Sequence, residues 1–86
     1  MEAKKQTVKL SVHNKLAGVI IDRFGKDVMM IPADEERFNV NVDVRVSRQF
    51  LGWVFSLGSD IQIVGPDDVV EQMRKEIARS VEQYRI

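Results

Sequence analysis

The sequence contains no cysteine and only one histidine, His13, which excludes several kinds of chemistry. Without thiols it can form neither a disulfide framework nor a thiolate metal site, and one imidazole is too few for a histidine-based zinc site. No glycine spacing of the GxGxxG or Walker type occurs, and no serine lies in the glycine-flanked elbow of hydrolases. The sequence therefore predicts a protein that is not an enzyme and that uses no metal or other cofactor.

An excess of charge and a long apolar run are also missing. The 13 basic residues are matched by 13 acidic ones, whereas a free-standing nucleic-acid binder usually carries a basic excess or a basic face. The one local basic cluster, Lys4, Lys5 and Lys9, is interpreted as a solvated chain end. Because the apolar runs are far too short for a membrane span and no signal-peptide pattern opens the chain, we expect a cytoplasmic protein with no membrane partner.

The length of 86 residues leaves room for one compact domain. Residues 1–6 are polar, and we expect them to form an N-terminal tail or an artificial junction. Residues 7–86 are expected to form a single domain that is a fragment of a larger protein.

The first half of the chain alternates between strand and helix patterns. Residues 7–12 alternate apolar and polar side chains with the period of a half-buried strand. Residues 15–24 then follow helical spacing, with Asn14 as the expected N-cap and Gly25 as a left-handed C-cap. This half therefore opens with a strand followed by a helix.

Two strands and a tight turn follow. Residues 28–32 form a short apolar run that we interpret as a strand, which Pro32 restricts to a sheet edge because proline cannot donate to a ladder. Residues 37–46 alternate strictly, so their valines face one side and their polar residues the other. The acidic residues 34–36 mark the tip of an antiparallel hairpin.

The second half repeats the strand and helix alternation. Ser47 is expected to cap a second helix that ends at Gly58. Its apolar face is predicted to consist of Phe50, Leu51, Val54, Phe55 and Leu57. A strand over residues 60–64 follows, and a last helix begins at Pro66 or Asp67.

This order predicts an α+β fold of the ferredoxin-like βαββαβ type, with a C-terminal helix added. Right-handed crossovers would give a four-stranded antiparallel sheet with two helices on one face. Strands one and three would be central, so their outward side chains would line an open face. That face is a candidate ligand or interface surface, and its predicted members are Lys9, Ser11, Asn39, Asn41, Asp43 and Arg45.

The last helix is a second candidate surface. It carries an apolar stripe about four turns long, for which the βαββαβ unit offers no obvious socket. The stripe could pack on its own domain, on a neighbouring domain or on a second chain. Its members are Val70, Met73, Ile77, Val81 and Tyr84.

The stretch from Trp53 to Val70, followed by the final SVEQY segment, resembles the WCX domain, the C-terminal extension of bacterial WYL-domain transcriptional regulators. The residues that carry the resemblance are Trp53, Gly58, Ile61, Ile63, Pro66, Val70 and Tyr84. The hairpin tip at residues 34–37 departs from the pattern, because it lacks the glycine often found there. The resemblance covers nearly the whole chain.

The resemblance implies a regulatory and dimerisation module of a DNA-binding transcription factor. Its partners would be a second copy and the upstream WYL and helix-turn-helix domains, with a nucleotide or nucleic acid as effector through the parent protein. The fragment itself would not bind operator DNA. An alternative is a stand-alone small-molecule-binding domain similar to ACT domains. The polar side chains of strand three, Asn39, Asn41, Asp43 and Arg45, favour this alternative.

Overall fold

The computed structural model describes residues 5–85 and shows a four-stranded antiparallel sheet with three helices. The strands are β1 (Lys5–His13), β2 (Met30–Pro32), β3 (Arg37–Arg45) and β4 (Ile61–Gly65). The helices are α1 (Ala17–Phe24), α2 (Arg48–Ser56) and α3 (Asp67–Gln83). The predicted α+β class and the order of the elements are confirmed. Residues 1–4 of the expected tail lie outside the described part, and Lys5 and Gln6 belong to β1.

The strand order in the sheet is β2-β3-β1-β4, with all neighbours antiparallel. β1 and β3 pair along their whole length, from Lys5 opposite Arg45 to His13 opposite Arg37. These two strands are central, as the sequence predicts. β2 is a short edge strand and ends at Pro32, in agreement with the restriction that proline imposes.

One face of the sheet carries the hydrophobic core. On β1 the side chains of Val8, Leu10 and Val12 are fully buried, while the residues between them face the other side. Helix α1 contributes Ile20 and helix α3 contributes Val69 to the same cluster. Burying each such side chain contributes about 1.5–3 kcal/mol relative to leaving it exposed. Among the described residues, no helix covers the other face of the sheet.

The start of α1 differs from the prediction. Asn14 is not the N-cap of the helix, because a short 3-10 turn (Asn14–Leu16) precedes α1. The cap of that turn is His13, whose Nδ1 accepts a hydrogen bond from the Lys15 backbone N–H at 3.1 Å. The Asn14 side chain instead donates to the Glu35 carbonyl at 2.9 Å and ties the turn to the β2–β3 hairpin.

The end of α1 also differs in detail. Gly25 has the expected positive φ of 95°, but its ψ of 158° lies outside the left-handed helical region. Its N–H still donates to the Ile21 carbonyl, so the last turn of the helix is closed before the chain extends toward β2.

Helix α2 begins as predicted and faces the core with three residues. The Ser47 hydroxyl accepts a hydrogen bond from the Phe50 N–H at 3.2 Å, and Phe50, Leu51 and Val54 are buried. The prediction for Phe55 was wrong, because this side chain is 64% exposed. Phe55 lies about 100° beyond Val54 around the helix, which turns it away from the sheet.

Two glycines near α2 should respond to alanine in opposite ways. Gly58 has a φ of 71°, so Gly58→Ala should lower the free energy of unfolding by about 1–2 kcal/mol through backbone strain. Gly52 lies inside α2 with no atom within 4 Å of an added Cβ. Gly52→Ala should therefore raise the free energy of unfolding by about 0.5–1 kcal/mol. Urea denaturation of both variants measures the pair, and equal effects would contradict the assigned backbone geometry.

Candidate functional site

The open sheet face is formed by the outward side chains of β1 and β3. The cross-strand register sets Thr7 opposite Asp43, Lys9 opposite Asn41 and Ser11 opposite Asn39. Directly opposed residues of antiparallel strands project to the same side. The six predicted residues of this face therefore lie together: Lys9, Ser11, Asn39, Asn41, Asp43 and Arg45.

Some polar groups of the open sheet face bond to one another. The Thr7 hydroxyl donates to Asp43 Oδ1 at 2.6 Å. The Arg37 guanidinium reaches across β1, where its Nε donates to Ser11 Oγ at 2.9 Å and its Nη2 to the Ser11 carbonyl at 3.0 Å. Its Nη2 also donates to the Asp60 carbonyl at 3.5 Å, so Arg37 is held across β1 near the His13 end of the face. Within residues 5–85, Lys9, Asn39 and Asn41 make no side-chain hydrogen bond.

Three residues of this face were not predicted. Thr7 belongs to the same alternation as Lys9, so the strand period alone could have identified it. Arg37 was predicted as the first residue of the strand over residues 37–46, and only the hydrogen bonds to Ser11 show that its side chain reaches across β1. Gln62 of β4 lies opposite Ser11 from the other side, and no local pattern in the sequence indicates this pairing.

Helix α3 divides into a docked part and a projecting part. Val69, which was not among the predicted residues, is fully buried, and Val70 and Met73 pack partly against the core. The first two turns therefore do have a socket on their own domain. Beyond them the stripe is uncovered: Ile77, Val81 and Tyr84 are 41%, 62% and 77% exposed.

An apolar groove lies between α2, β4 and the part of α3 from Val70 to Ile77. We call it the α2/α3 groove; it has a volume of about 490 Å³, and its apolar lining includes Val54, Phe55, Ile63, Val70, Met73 and Ile77. A smaller depression of about 190 Å³ lies on the other side of Phe55 and extends to Val81. Phe55, Met73 and Ile77 line both the α2/α3 groove and this depression. The apolar stripe of α3 therefore continues from the groove into the depression.

Ion pairs surround this apolar surface. On α3, Arg74 pairs with Glu71 at 2.9 Å and Arg79 with Glu76 at 3.2 Å. Glu76 also accepts from Arg48 of α2 at 3.1 Å. Such exposed pairs contribute little to stability, but they neutralise the charges that flank the apolar stripe.

The described residues hold neither a metal cluster nor a spanning helix. Within residues 5–85, no three His, Asp or Glu side chains lie close enough together to hold an ion. In the same range, no helix combines the length and apolar character that crossing a bilayer requires.

The described residues form a small α+β domain in which helices cover one face of the sheet and leave the other face open. The last helix, α3, carries an exposed apolar stripe beyond Met73. The chain belongs to the WCX domain family, whose family model matches residues 4–81. WCX domains are known from the C-termini of WYL-domain regulators. Comparison with curated proteins gives no match, and comparison with solved structures gives none.

Proposed function

We propose that this chain is the C-terminal regulatory and assembly module of a WYL-type helix-turn-helix transcriptional regulator. The family match supports this role, and so does the apolar stripe of α3, whose residues Ile77, Val81 and Tyr84 are exposed. The module dimerises and contributes to the effector response of the parent protein in the cytoplasm. It is not an enzyme, and operator DNA is bound by the upstream helix-turn-helix domain.

The spacing of the stripe carries the proposal of self-assembly. The residues of the apolar stripe are separated by three, four, four and three positions: Val70, Met73, Ile77, Val81 and Tyr84. This series of intervals is the same when it is counted from either end. A two-fold axis at Ile77 therefore sets Met73 against Val81 of a second copy and Val70 against Tyr84 of that copy. Such self-complementarity is what an isologous two-fold interface requires.

The α2/α3 groove supports the same arrangement. In the two-fold pair, the projecting turn with Val81 and Tyr84 enters the groove of the second copy, where Phe55 and Val70 line the wall. The acidic first turn of α3, at Asp67 and Asp68, then lies near the Arg85 end of the partner helix. Opposite charges meet at both ends of the pair, which favours the antiparallel orientation.

A cysteine cross-link tests this geometry directly because the chain has no native cysteine. Ile77→Cys should form a disulfide-linked dimer on mild oxidation, since the axis brings the two copies of this residue together. The matched control is Ile31→Cys, an exposed apolar position on edge strand β2. Equal cross-linking of both variants, or none with Ile77→Cys, would rule out the two-fold axis at this residue.

The strand order also supports a more specific fold than the α+β class. We infer a ferredoxin-like arrangement, because each β-α-β unit in the order β2-β3-β1-β4 skips one strand and the two units interleave. Right-handed crossovers complete that assignment. An experimental structure with the opposite hand at either crossover would overturn it.

A second candidate function is small-molecule binding on the open sheet face, as in an ACT-like domain. The observation in its favour is the group of side-chain donors at Lys9, Asn39 and Asn41, which have no hydrogen-bond partner among residues 5–85. Thermal shift with amino acids and nucleotides tests it: a specific stabilisation that Asn41→Ala abolishes is expected. A flat response to the whole panel would count against this candidate.

A further inference from the structure

The open sheet face has a charge of its own although the chain as a whole is neutral. Its side chains include four cations, on Lys5, Lys9, Arg37 and Arg45, and a single carboxylate, on Asp43. The remaining outward residues of β1 and β3 are uncharged or, at His13, engaged as a cap. The face therefore carries an excess of positive charge that the net composition conceals.

These cations lack carboxylate partners within the described residues. The ion pairs of residues 5–85 involve Lys15 and arginines of α2 and α3 or the chain end, and none involves a cation of the open sheet face. Lys5 even lies directly opposite Arg45 in the register. Like charges directly opposite each other destabilise a strand pair, and this pair lies at the other end of the face from Ser11.

Two of these cations lie on either side of Ser11, toward the His13 end of the face. Lys9 is two residues from Ser11 on β1, about 7 Å along the strand, and the Arg37 guanidinium is anchored to Ser11 at 2.9 Å. Two cations thus flank a short polar segment. The amides of Asn39 and Asn41 lie opposite this segment on β3.

The composition of the face also restricts what it can bind. The aromatic rings of the described residues lie on the helical side of the sheet or, like Tyr84, beyond it. Stacking platforms for nucleobases or flat rings need aromatic side chains, and the open sheet face offers none. It offers charged and amide N–H donors, which suit oxyanions.

We propose that the part of the open sheet face around Ser11 is a binding site for a small phosphate-bearing anion, held between Lys9 and Arg37 with the amides of Asn39 and Asn41 as further donors. The proposal rests on the second candidate function and narrows its ligand class. It is independent of the assembly of α3, because the sheet face lies on the opposite side from the helices.

Titration of the folded chain with inorganic pyrophosphate, followed by backbone amide NMR, tests the site. Shifts are expected to concentrate at residues 9, 11, 39 and 41. Lys9→Gln should weaken binding about fivefold, as the loss of one exposed charge contact predicts. The matched control Lys75→Gln removes the same charge from exposed α3 and should leave the affinity unchanged. A dispersed amide spectrum of each variant shows that it is folded.

Other outcomes distinguish the anion site from the second candidate function, which is small-molecule binding in general on the open sheet face. Binding of neutral glycine at the same residues, without binding of pyrophosphate, would keep the ligand platform and overturn the anion site. Shifts induced only by an oligothymidylate would likewise overturn a site for small anions. Equal loss of affinity in Lys9→Gln and Lys75→Gln would show non-specific attraction, and an unresponsive face would remove both the anion site and the platform.

Discussion

Replacing Leu10 by alanine is expected to lower the free energy of unfolding by about 3–5 kcal/mol. Leu10 is fully buried at the middle of β1, where it lies between Val40 of β3 and Ile63 of β4. Its side chain therefore packs at the centre of the only core in the described domain. The truncation loses the transfer free energy of the removed methyl groups and leaves a cavity that two neighbouring strands cannot collapse to fill.

The loss of stability on Leu10→Ala is large relative to the total free energy of unfolding of the domain. A domain of this size has a stability of about 4–13 kcal/mol, so Leu10→Ala removes much of it. Urea unfolding followed by the fluorescence of Trp53, which packs against the core, measures the loss. Ile31→Ala, at a half-exposed position on the edge strand, should change the stability by less than about 1 kcal/mol. A similarly small effect at Leu10 would contradict the central position of β1.

The second large effect is expected on self-association. Val81→Asp should raise the dimer dissociation constant by about 100-fold or more, because the new carboxylate is buried without a partner in the proposed interface. The two-fold symmetry places the change at two positions of each dimer. The isolated chain should stay folded, since Val81 is 62% exposed and is not part of the core cluster.

The control separates an interface from general solubility. Met29→Asp introduces the same charge at an apolar side chain that is 72% exposed, on the loop before β2. Its dissociation constant should equal that of the unchanged chain in sedimentation equilibrium. Tyr84→Ala should weaken the dimer more moderately, as the loss of an aromatic anchor predicts. If Val81→Asp dimerises as tightly as Met29→Asp, the last helix is not the interface.

Much of the fold is predictable because local periodicity and chain punctuation agree with the tertiary structure. The alternation of β3 predicts which of its residues are buried, and Ser47 is the cap that its position indicates. Pro32 is at an edge because its missing N–H excludes it from a central strand. These features depend on neighbours in sequence, so the sequence alone is sufficient to identify them.

The differences depend on contacts between distant residues. Asn14 is drawn away from a capping role by the carbonyl of Glu35, which the hairpin brings close. Val69 rather than Val70 is the deepest residue of α3, because the angle at which the helix leaves β4 sets which side faces the core. Phe55 has helical spacing compatible with the core, yet it lies beside α3. Local sequence patterns do not determine how one helix is oriented relative to another.

The two candidate surfaces were predicted with different success. The open sheet face follows from the strand period, but its excess of positive charge depends on the register that brings Arg37 over Ser11. The basic group at Lys4, Lys5 and Lys9 was interpreted as a solvated chain end, although Lys9 was also predicted on this face; Lys5 and Lys9 both lie within β1, where they are exposed. The exposed apolar residues of α3 follow from helical spacing, but the α2/α3 groove depends on Phe55 of another helix.

The surfaces lie on opposite sides of the sheet, so a dimer formed through α3 leaves the open sheet face accessible. A module built in this way could hold a second copy and a ligand at once. The WYL and helix-turn-helix domains of the parent protein would then receive two inputs, one from assembly and one from the bound anion.

Sedimentation equilibrium of the unaltered chain tests the central proposal most directly. Assembly through α3 predicts a mass that rises with concentration from one chain to two and then remains at two, because a two-fold interface closes on itself. A mass of one chain up to millimolar concentration would contradict assembly through α3, and a mass that grows beyond two chains would contradict the closed two-fold pair.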